Sequence, residues 1–181
     1  MRSRPDLNKL EAERQITAAP TVENYIASLE HGGPDEETVS VITFFAGSRE
    51  CAFEVSDALE VLRPRPITEV PRTPGYILGI LSVRGEMVTV IDLRMRVGME
   101  PSERGASSRI LIVTVDDLKA GFLVDKLGGV KAVKAASIVA PGPDSGVEPR
   151  FLKGVIATPA AGVLLLDAAS LIWPDEQKRK K

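Results

Sequence analysis

From Thr38 onward the chain alternates between short apolar runs, rich in Val, Ile and Leu, and segments rich in Pro and Gly. Runs this short and this β-branched are typical of strands rather than helices. The predicted strands are residues 39–46, 49–55, 79–84, 87–93, 109–115, 119–125, 130–135, 151–158 and 162–168. Short strands separated by frequent turn signals indicate a barrel or a sandwich.

The strand pattern repeats along the chain. Residues 76–93 align without a gap over residues 151–168, a shift of 75 positions. Residues 41–61 align over residues 110–130, a shift of 69 positions. Both segments recur in the same order, which predicts a duplicated β unit and therefore two small barrels packed against each other.

Two pairs of residues coincide in this repeat, Gly79 with Gly154 and Asp92 with Asp167. We expect the glycines to open equivalent strands where the backbone turns sharply. We expect the aspartates to end equivalent strands and to accept hydrogen bonds from local backbone amides. A catalytic pair of carboxylates is the alternative, but the repeat would place the two groups in separate barrels.

The two ends of the chain differ in composition from the part between them. Residues 1–38 carry four Lys or Arg against eight acidic residues, and one apolar period follows Thr21. This segment is interpreted as a flexible acidic extension with at most one short helix. Residues 174–181 end in Lys-Arg-Lys-Lys and are interpreted as a basic, solvated tail.

Composition narrows the classes of function. The formal net charge is −2, aromatic residues make up 4% of the chain, and His31 and Cys51 are the only residues of their types. A clustered basic face and base-stacking aromatics, the features of nucleic-acid binders, are missing from the sequence. One His and one Cys supply neither a zinc ligand set nor a Cys–His dyad, and Cys51 alternates with apolar residues as a core position does. The single cysteine and the lack of a long apolar segment indicate a soluble, cytoplasmic protein.

Residues 73–99, TPGYILGILSVRGEMVTVIDLRMRVGM, resemble the signature of the CheW-like chemotaxis coupling proteins, in which an Arg-Gly turn precedes an Ile-Asp-Leu-Arg strand end. Residues 58–74 are similar to the family's Pro-rich approach to this turn, and residues 151–172 are similar to its closing strands. The resemblance covers about residues 39–173. It departs from the family pattern at Ser82, where Asn is usual, and at Thr89, where Pro is usual.

This resemblance implies a mostly β fold of two pseudo-symmetric, five-stranded antiparallel β-barrels of SH3-like type, with short connecting helices. It implies a non-catalytic adaptor, without cofactor or metal, that couples the cytoplasmic tip of a chemoreceptor to the regulatory domain of a CheA-type histidine kinase. Such an adaptor is cytoplasmic and associated with receptor arrays, binds no nucleic acid and does not insert into the membrane. The alternative weighed from the sequence is a small-barrel nucleic-acid-binding or translation-associated module.

The resemblance also implies which residues bind receptor or kinase: Arg84, Glu60, Gly79, Gly85, Ala58 and Ser82. Ala58 stands where the family has a larger aliphatic residue. A Gly after Arg84 suits a tight hairpin turn, but such a turn does not need an arginine. The resemblance gives functional weight to Arg84 and Glu60, and on that ground we predict that they approach each other and shape a face that meets a partner.

Overall fold

The structure, a computed structural model, describes residues 37–142, 145–159 and 162–173. In chain order, its strands and helices are β1 (Thr38–Ala46), β2 (Arg49–Glu54), β3 (Ala58–Leu62), β4 (Ile77–Val83), β5 (Glu86–Asp92), α1 (Leu93–Arg96), β6 (Arg109–Val115), β7 (Leu118–Val124), β8 (Lys126–Lys134), β9 (Ile138–Val139), β10 (Leu152–Ile156), β11 (Val163–Leu166) and α2 (Ala168–Ile172). Short 3₁₀ turns occupy Ala135–Ser137 and Pro149–Phe151.

The strands form two sheets. One has the order β3-β6-β7-β5-β4, and the other has the order β8-β1-β2-β11-β10-β9. In each sheet the chain passes from one edge strand to the opposite edge. In the first sheet, Thr68 follows the edge strand β3 and bridges to Ile80 on the other edge strand, β4. In the second sheet, β9 follows the edge strand β8 and pairs with β10 at the opposite edge. Each sheet is thereby curled into a barrel, which we call barrel 1 (β3 to β7) and barrel 2 (the other six strands).

The predicted repeat is present in the strand pairing. In barrel 1 the parallel strands β5 and β7 set Val90 opposite Gly121, and in barrel 2 the parallel strands β11 and β2 set Leu165 opposite Ala52. The shift of 75 relates Val90 to Leu165, and the shift of 69 relates Ala52 to Gly121. The two-barrel prediction is confirmed, with two differences in detail: one neighbouring pair in each sheet is parallel, and the short β9 adds a sixth strand to barrel 2.

The two halves of the chain exchange a pair of strands. Barrel 1 takes β3 to β5 from the first half and β6 and β7 from the second, while barrel 2 pairs the first-half strands β1 and β2 with β8 and with β9 to β11. Because each sheet needs strands from both halves, neither half contains a complete barrel.

Three apolar clusters make up the core. One fills barrel 1 around Val88 and Ile110, one fills barrel 2 around Val41 and Leu165, and the largest joins residues of both sheets. Phe53 in this largest cluster lies 5.1 Å from Phe44 and 5.3 Å from Phe122 between ring centroids. Aromatic rings at this separation attract each other in addition to the apolar area they bury.

Cys51 belongs to the largest cluster and is 2% exposed, so its predicted core position is confirmed. Burial raises the pKa of its thiol to about 12. The group therefore stays protonated at neutral pH and packs as a small apolar side chain.

Arg96 ties the first half of the chain to the second. It is only 6% exposed, and its guanidinium lies 4.7 Å from the ring centroids of both Tyr76 and Phe151, which are equivalent positions of the repeat. Its Nε donates to the carbonyl oxygen of Leu171 at 2.9 Å, and its Nη2 donates to the carbonyl of Trp173 at 3.0 Å. Arg96 thus satisfies carbonyls at the end of α2, where helical partners are missing.

The two repeated aspartates cap helices. Asp92 precedes α1 and accepts hydrogen bonds from the backbone N–H of Met95 at 3.2 Å and of Ser102 at 3.0 Å. Asp167 precedes α2 and accepts from the hydroxyl of Ser170 rather than from a backbone amide. The predicted bonds to local backbone amides are therefore confirmed for Asp92 and wrong for Asp167, although both residues stand at the N-cap position of a short helix.

Several predictions concern residues outside those described. The acidic extension with its helix, His31 and the basic tail fall on residues 1–36 and 174–181. At the inner limit of the extension, β1 begins at Thr38, one residue before the predicted strand. Within the described part of the chain, no helix has both the length and the apolar character needed to span a bilayer.

Candidate partner-binding site

The hairpin between β4 and β5 turns through two residues, Arg84 and Gly85, because Val83 pairs directly with Glu86. Both turn residues have positive φ, 51° at Arg84 and 87° at Gly85. Such a turn favours Asn, Asp or Gly at both positions, and any other L-residue in this region is strained by about 1–2 kcal/mol. Stability therefore does not account for an arginine at position 84.

The predicted approach of Arg84 to Glu60 is confirmed. Arg84 Nε lies 3.3 Å from Glu60 Oε2, and the two side chains are 81% and 29% exposed. Glu60 is on β3 and Arg84 adjoins β4, which are the two edge strands of the sheet. The ion pair therefore spans the gap between the sheet edges, yet an exposed pair contributes only about 0–1 kcal/mol to stability.

A cavity of about 240 Å³ opens beside this ion pair. We call it the barrel mouth, and its walls are formed by Leu59, Glu60, Val83, Arg84, Glu86, Val88, Ile112 and Lys119. Its lining combines the buried apolar residues of barrel 1 with two ion pairs, since Lys119 Nζ also bonds to the Glu86 carboxylate. At the rim, Leu59 is 51% exposed, which leaves a large apolar side chain in solvent at a β-bulge.

The repeat allows the barrel mouth to be compared with the equivalent corner of barrel 2. The shift of 69 places Gly129 where barrel 1 has Glu60, and the shift of 75 places Pro159 where it has Arg84. The strand register around Gly129 is the same as around Glu60, with a bulge at the same point. The same sheet therefore forms without this ion pair, so the fold does not require it.

Ser82 and Ala58 lie on a different surface, the outer face of barrel 1. Ser82 is exposed and pairs across the hairpin with Met87, which is 63% exposed. Thr89 on β5 pairs with Ala120 on the parallel strand β7. Met87 and the exposed Leu118 each lie two residues earlier on these strands, so they are neighbours on the same face. The side chains of Ser82, Met87 and Leu118 thus follow one another across three strands and form the outer-face strip.

Ala58 extends this surface toward the core shared by the two sheets. It pairs with Val113, a member of the largest apolar cluster, and packs against that cluster while half-buried. Of the six predicted site residues, Glu60 and Arg84 line the barrel mouth, and Gly85 is in the turn beside it. Ala58 and Ser82 are on the outer face, and Gly79 is apart from both.

Gly79 is needed for the conformation of the backbone rather than for contact with a partner. Its φ is 134°, it sits at a bulge in β4, and a Cβ there would lie 2.1 Å from the carbonyl oxygen of Thr68. Gly79 is buried and is adjacent to Ile80, the residue of β4 to which Thr68 bridges. A side chain would be excluded by the backbone itself, so Gly79 supports the site indirectly.

Sequence reasoning missed Met87, Leu118, Glu86 and Lys119. A signal existed for Met87, because Val88 and Val90 alternate with it and are buried, so position 87 points outward. An apolar residue at an outward position is unusual enough to suggest a contact surface. Lys119 carried no comparable signal, since its pairing with Glu86 depends on the parallel contact between two strands distant in sequence.

Comparisons with known proteins agree with this architecture. The profile of the CheW-like domain matches residues 40–174. The chemotaxis protein CheW of Helicobacter pylori is 34% identical over 104 residues, which cover 58% of this chain and 63% of that protein. The probable chemotaxis protein CheW of Rhizobium etli is 29% identical over 140 residues, covering 76% of this chain and 90% of that protein.

Among solved structures, the scaffolding protein TtCheW from Thermoanaerobacter tengcongensis superposes with a TM-score of 0.72 at 28% sequence identity. The superposition covers 77% of this chain and 95% of that one. The shared fold thus extends over nearly the whole of the related protein. On the match of its sequence to the domain profile and on this likeness of fold, the chain belongs to the CheW-like family.

Proposed function

We propose that this protein is a non-catalytic chemotaxis adaptor that couples the cytoplasmic tip of a chemoreceptor to the regulatory domain of a CheA-type histidine kinase. Its place of action is the cytoplasm, at receptor arrays. The similar proteins are named as chemotaxis and scaffolding proteins, which favours this role over nucleic-acid binding. The proposal needs no cofactor or metal, because an adaptor acts through the surfaces that it presents.

The observation that carries the proposal is the Arg84–Glu60 pair. It is placed on a strained turn, stays largely exposed, and is absent from the equivalent corner of barrel 2. A residue that stability does not select, in an exposed position beside an apolar cavity, is suited to contact with a partner. The planar guanidinium of an arginine can donate two parallel hydrogen bonds to one carboxylate, a bidentate contact.

The outer-face strip supplies a second contact. Met87 and Leu118 expose apolar area next to Ser82, and Ala58 packs half-buried against the shared core. An adaptor must hold two partners at once, so two separate surfaces on barrel 1 fit the role. We assign Arg84, Glu60 and Gly85 to a polar contact with the receptor, and Ala58 and Ser82 to the separate contact on the outer face.

Arg84→Ala tests the proposal. We expect the melting temperature to stay within about 2–4 °C of the parent, because an exposed ion pair contributes at most about 1 kcal/mol. Receptor-dependent activation of the kinase is expected to fall at least tenfold, and Arg84→Lys is expected to restore it only in part. The measurements are thermal unfolding and kinase activity reconstituted with a chemoreceptor fragment and a CheA-type kinase encoded in the same genome.

Arg65→Ala is the matched control, since Arg65 is an exposed arginine on the Pro-rich loop after β3. It is expected to leave coupling unchanged. If Arg84→Ala couples receptor to kinase as well as the parent does, Arg84 is only a turn residue and the proposed role of the barrel mouth is wrong.

A further inference from the structure

The second ion pair of the barrel mouth, Glu86 with Lys119, is not needed by the fold either. Lys119 on β7 and Glu86 on β5 belong to neighbouring strands that are already joined by backbone pairing and by buried Val88 and Val90. At the equivalent positions of barrel 2 the sequence has Ala161 and Glu50. An ion pair this exposed contributes little to stability.

The two ion pairs give the mouth a polarity. In one pair the cation is the more exposed member, because Arg84 is 81% exposed and Glu60 is 29%. In the other pair the anion is the more exposed member, because Glu86 is 61% exposed and Lys119 is 38%. A partner that approaches the mouth therefore meets a positive group at Arg84 and a negative group at Glu86, with only Gly85 between them in the chain.

Between these poles the mouth is apolar and limited in size. Val83, Val88 and Ile112 are buried members of the barrel 1 core that reach the cavity wall. An apolar cavity of about 150 Å³ can already hold a benzene ring. The mouth, at about 240 Å³, has room for one large apolar side chain but not for a whole strand or helix.

We infer that the mouth accepts a receptor segment in which one large apolar side chain is flanked by an acidic residue on the Arg84 side and a basic residue on the Glu86 side. The Glu86–Lys119 pair fixes this polarity and thereby selects among receptors. The inference rests on the proposed function and adds the chemistry of the partner to it. Complementary charge at a rim contributes to the choice of partner, since like charges brought together oppose binding.

The double variant Glu86→Lys with Lys119→Glu tests this inference. It keeps an ion pair between β5 and β7 but inverts the charges that a partner meets. The binding partner is the cytoplasmic fragment of a chemoreceptor encoded in the same genome, titrated by calorimetry against the parent and the variant. We expect an unchanged melting temperature and a dissociation constant raised at least tenfold.

The matched control inverts an ion pair elsewhere, Glu50→Lys with Lys131→Glu in barrel 2, where the pair is 2.8 Å long. This control is expected to bind the receptor fragment as the parent does. Glu86→Gln, which removes one charge without changing the shape of the side chain, covers the case in which the double variant does not fold. It is expected to raise the dissociation constant about threefold to tenfold.

The outcomes separate this inference from the proposed function. If Arg84→Ala abolishes binding while the Glu86 and Lys119 variants bind as the parent does, only the selective role of the second pair is overturned. If the parent binds no chemoreceptor fragment, or if Arg84→Ala also binds normally, the proposed function fails first. Weaker binding of the Glu86 variants alone, with the barrel 2 control unaffected, supports the inference.

Discussion

At the scale of single residues, the repeat separates what the fold needs from what it does not. Asp92 and Asp167 both stand at the N-cap position of a short helix, and Gly79 and Gly154 both sit at strand bulges. Arg84 does not recur, since the repeat has Pro159 at the equivalent position, and its backbone lies in a region that disfavours an arginine. Comparison of the two copies of the repeat thus separates residues that the fold requires from residues that serve function.

Gly79 and Gly85 both have positive φ, but they differ in their surroundings. A Cβ at Gly79 would collide with the Thr68 carbonyl, whereas a Cβ at Gly85 would have nothing within 4 Å. We expect Gly79→Ala to lower the free energy of unfolding by about 3 kcal/mol or more, from backbone strain plus displacement of the chain beyond β3. Gly85→Ala is expected to cost about 1 kcal/mol, from backbone strain alone.

Chemical denaturation of both variants measures this difference. Equal losses of unfolding free energy would show that the bridge between Thr68 and Ile80 yields easily, contrary to the close contact at Gly79. Receptor binding is expected to follow stability for Gly79→Ala. Gly85→Ala is instead expected to weaken binding more than stability, because residue 85 holds Arg84 in the mouth.

At the scale of elements, the sequence predicted most strands but not their partners. Apolar alternation located β1, β2 and β4 to β7 to within three residues at each end. It missed β3, whose Ala-Leu-Glu-Val-Leu composition favours a helix by propensity and becomes a strand by pairing with β6. The parallel contacts and the ion pairs of the barrel mouth join distant segments, so no local pattern encodes them.

The contact of Arg96 with α2 is the clearest case of an element held by the other half of the chain. Removing the guanidinium leaves the carbonyls of Leu171 and Trp173 without their donor and removes the group between Tyr76 and Phe151. A buried acceptor left without its donor costs about 1–3 kcal/mol, and we expect Arg96→Ala to lower the free energy of unfolding by at least this amount.

Hydrogen exchange distinguishes a local effect from a global one. Arg96→Ala is expected to speed exchange of the α2 amides more than that of β6 or β7. Arg109→Ala is the control, because Arg109 is half-buried and its guanidinium donates to the carbonyls of Ala106 and Ser108, just before its own strand. Unchanged protection of α2 in Arg96→Ala would mean that this helix is held by apolar packing alone.

At the scale of the whole molecule, the exchange of strands makes the two barrels one folding unit. In barrel 1 the second-half strands β6 and β7 lie between β3 and β5, so the first half alone cannot form this sheet. Barrel 2 similarly needs β1 and β2 between β8 and β11. The largest apolar cluster, with residues from both sheets, adds to the interdependence.

A cut between the halves tests this interdependence. A protease site placed after Arg104, in the exposed loop between α1 and β6, divides the chain without removing any strand. We expect the cut protein to stay associated through size-exclusion chromatography and to unfold in a single transition, because both sheets remain complete. Either fragment expressed alone is expected to show no cooperative unfolding, and mixing the two is expected to restore it. A fragment that folds by itself, with its own sharp transition, would contradict the interlocked arrangement and would mean that each half of the repeat is a domain in its own right.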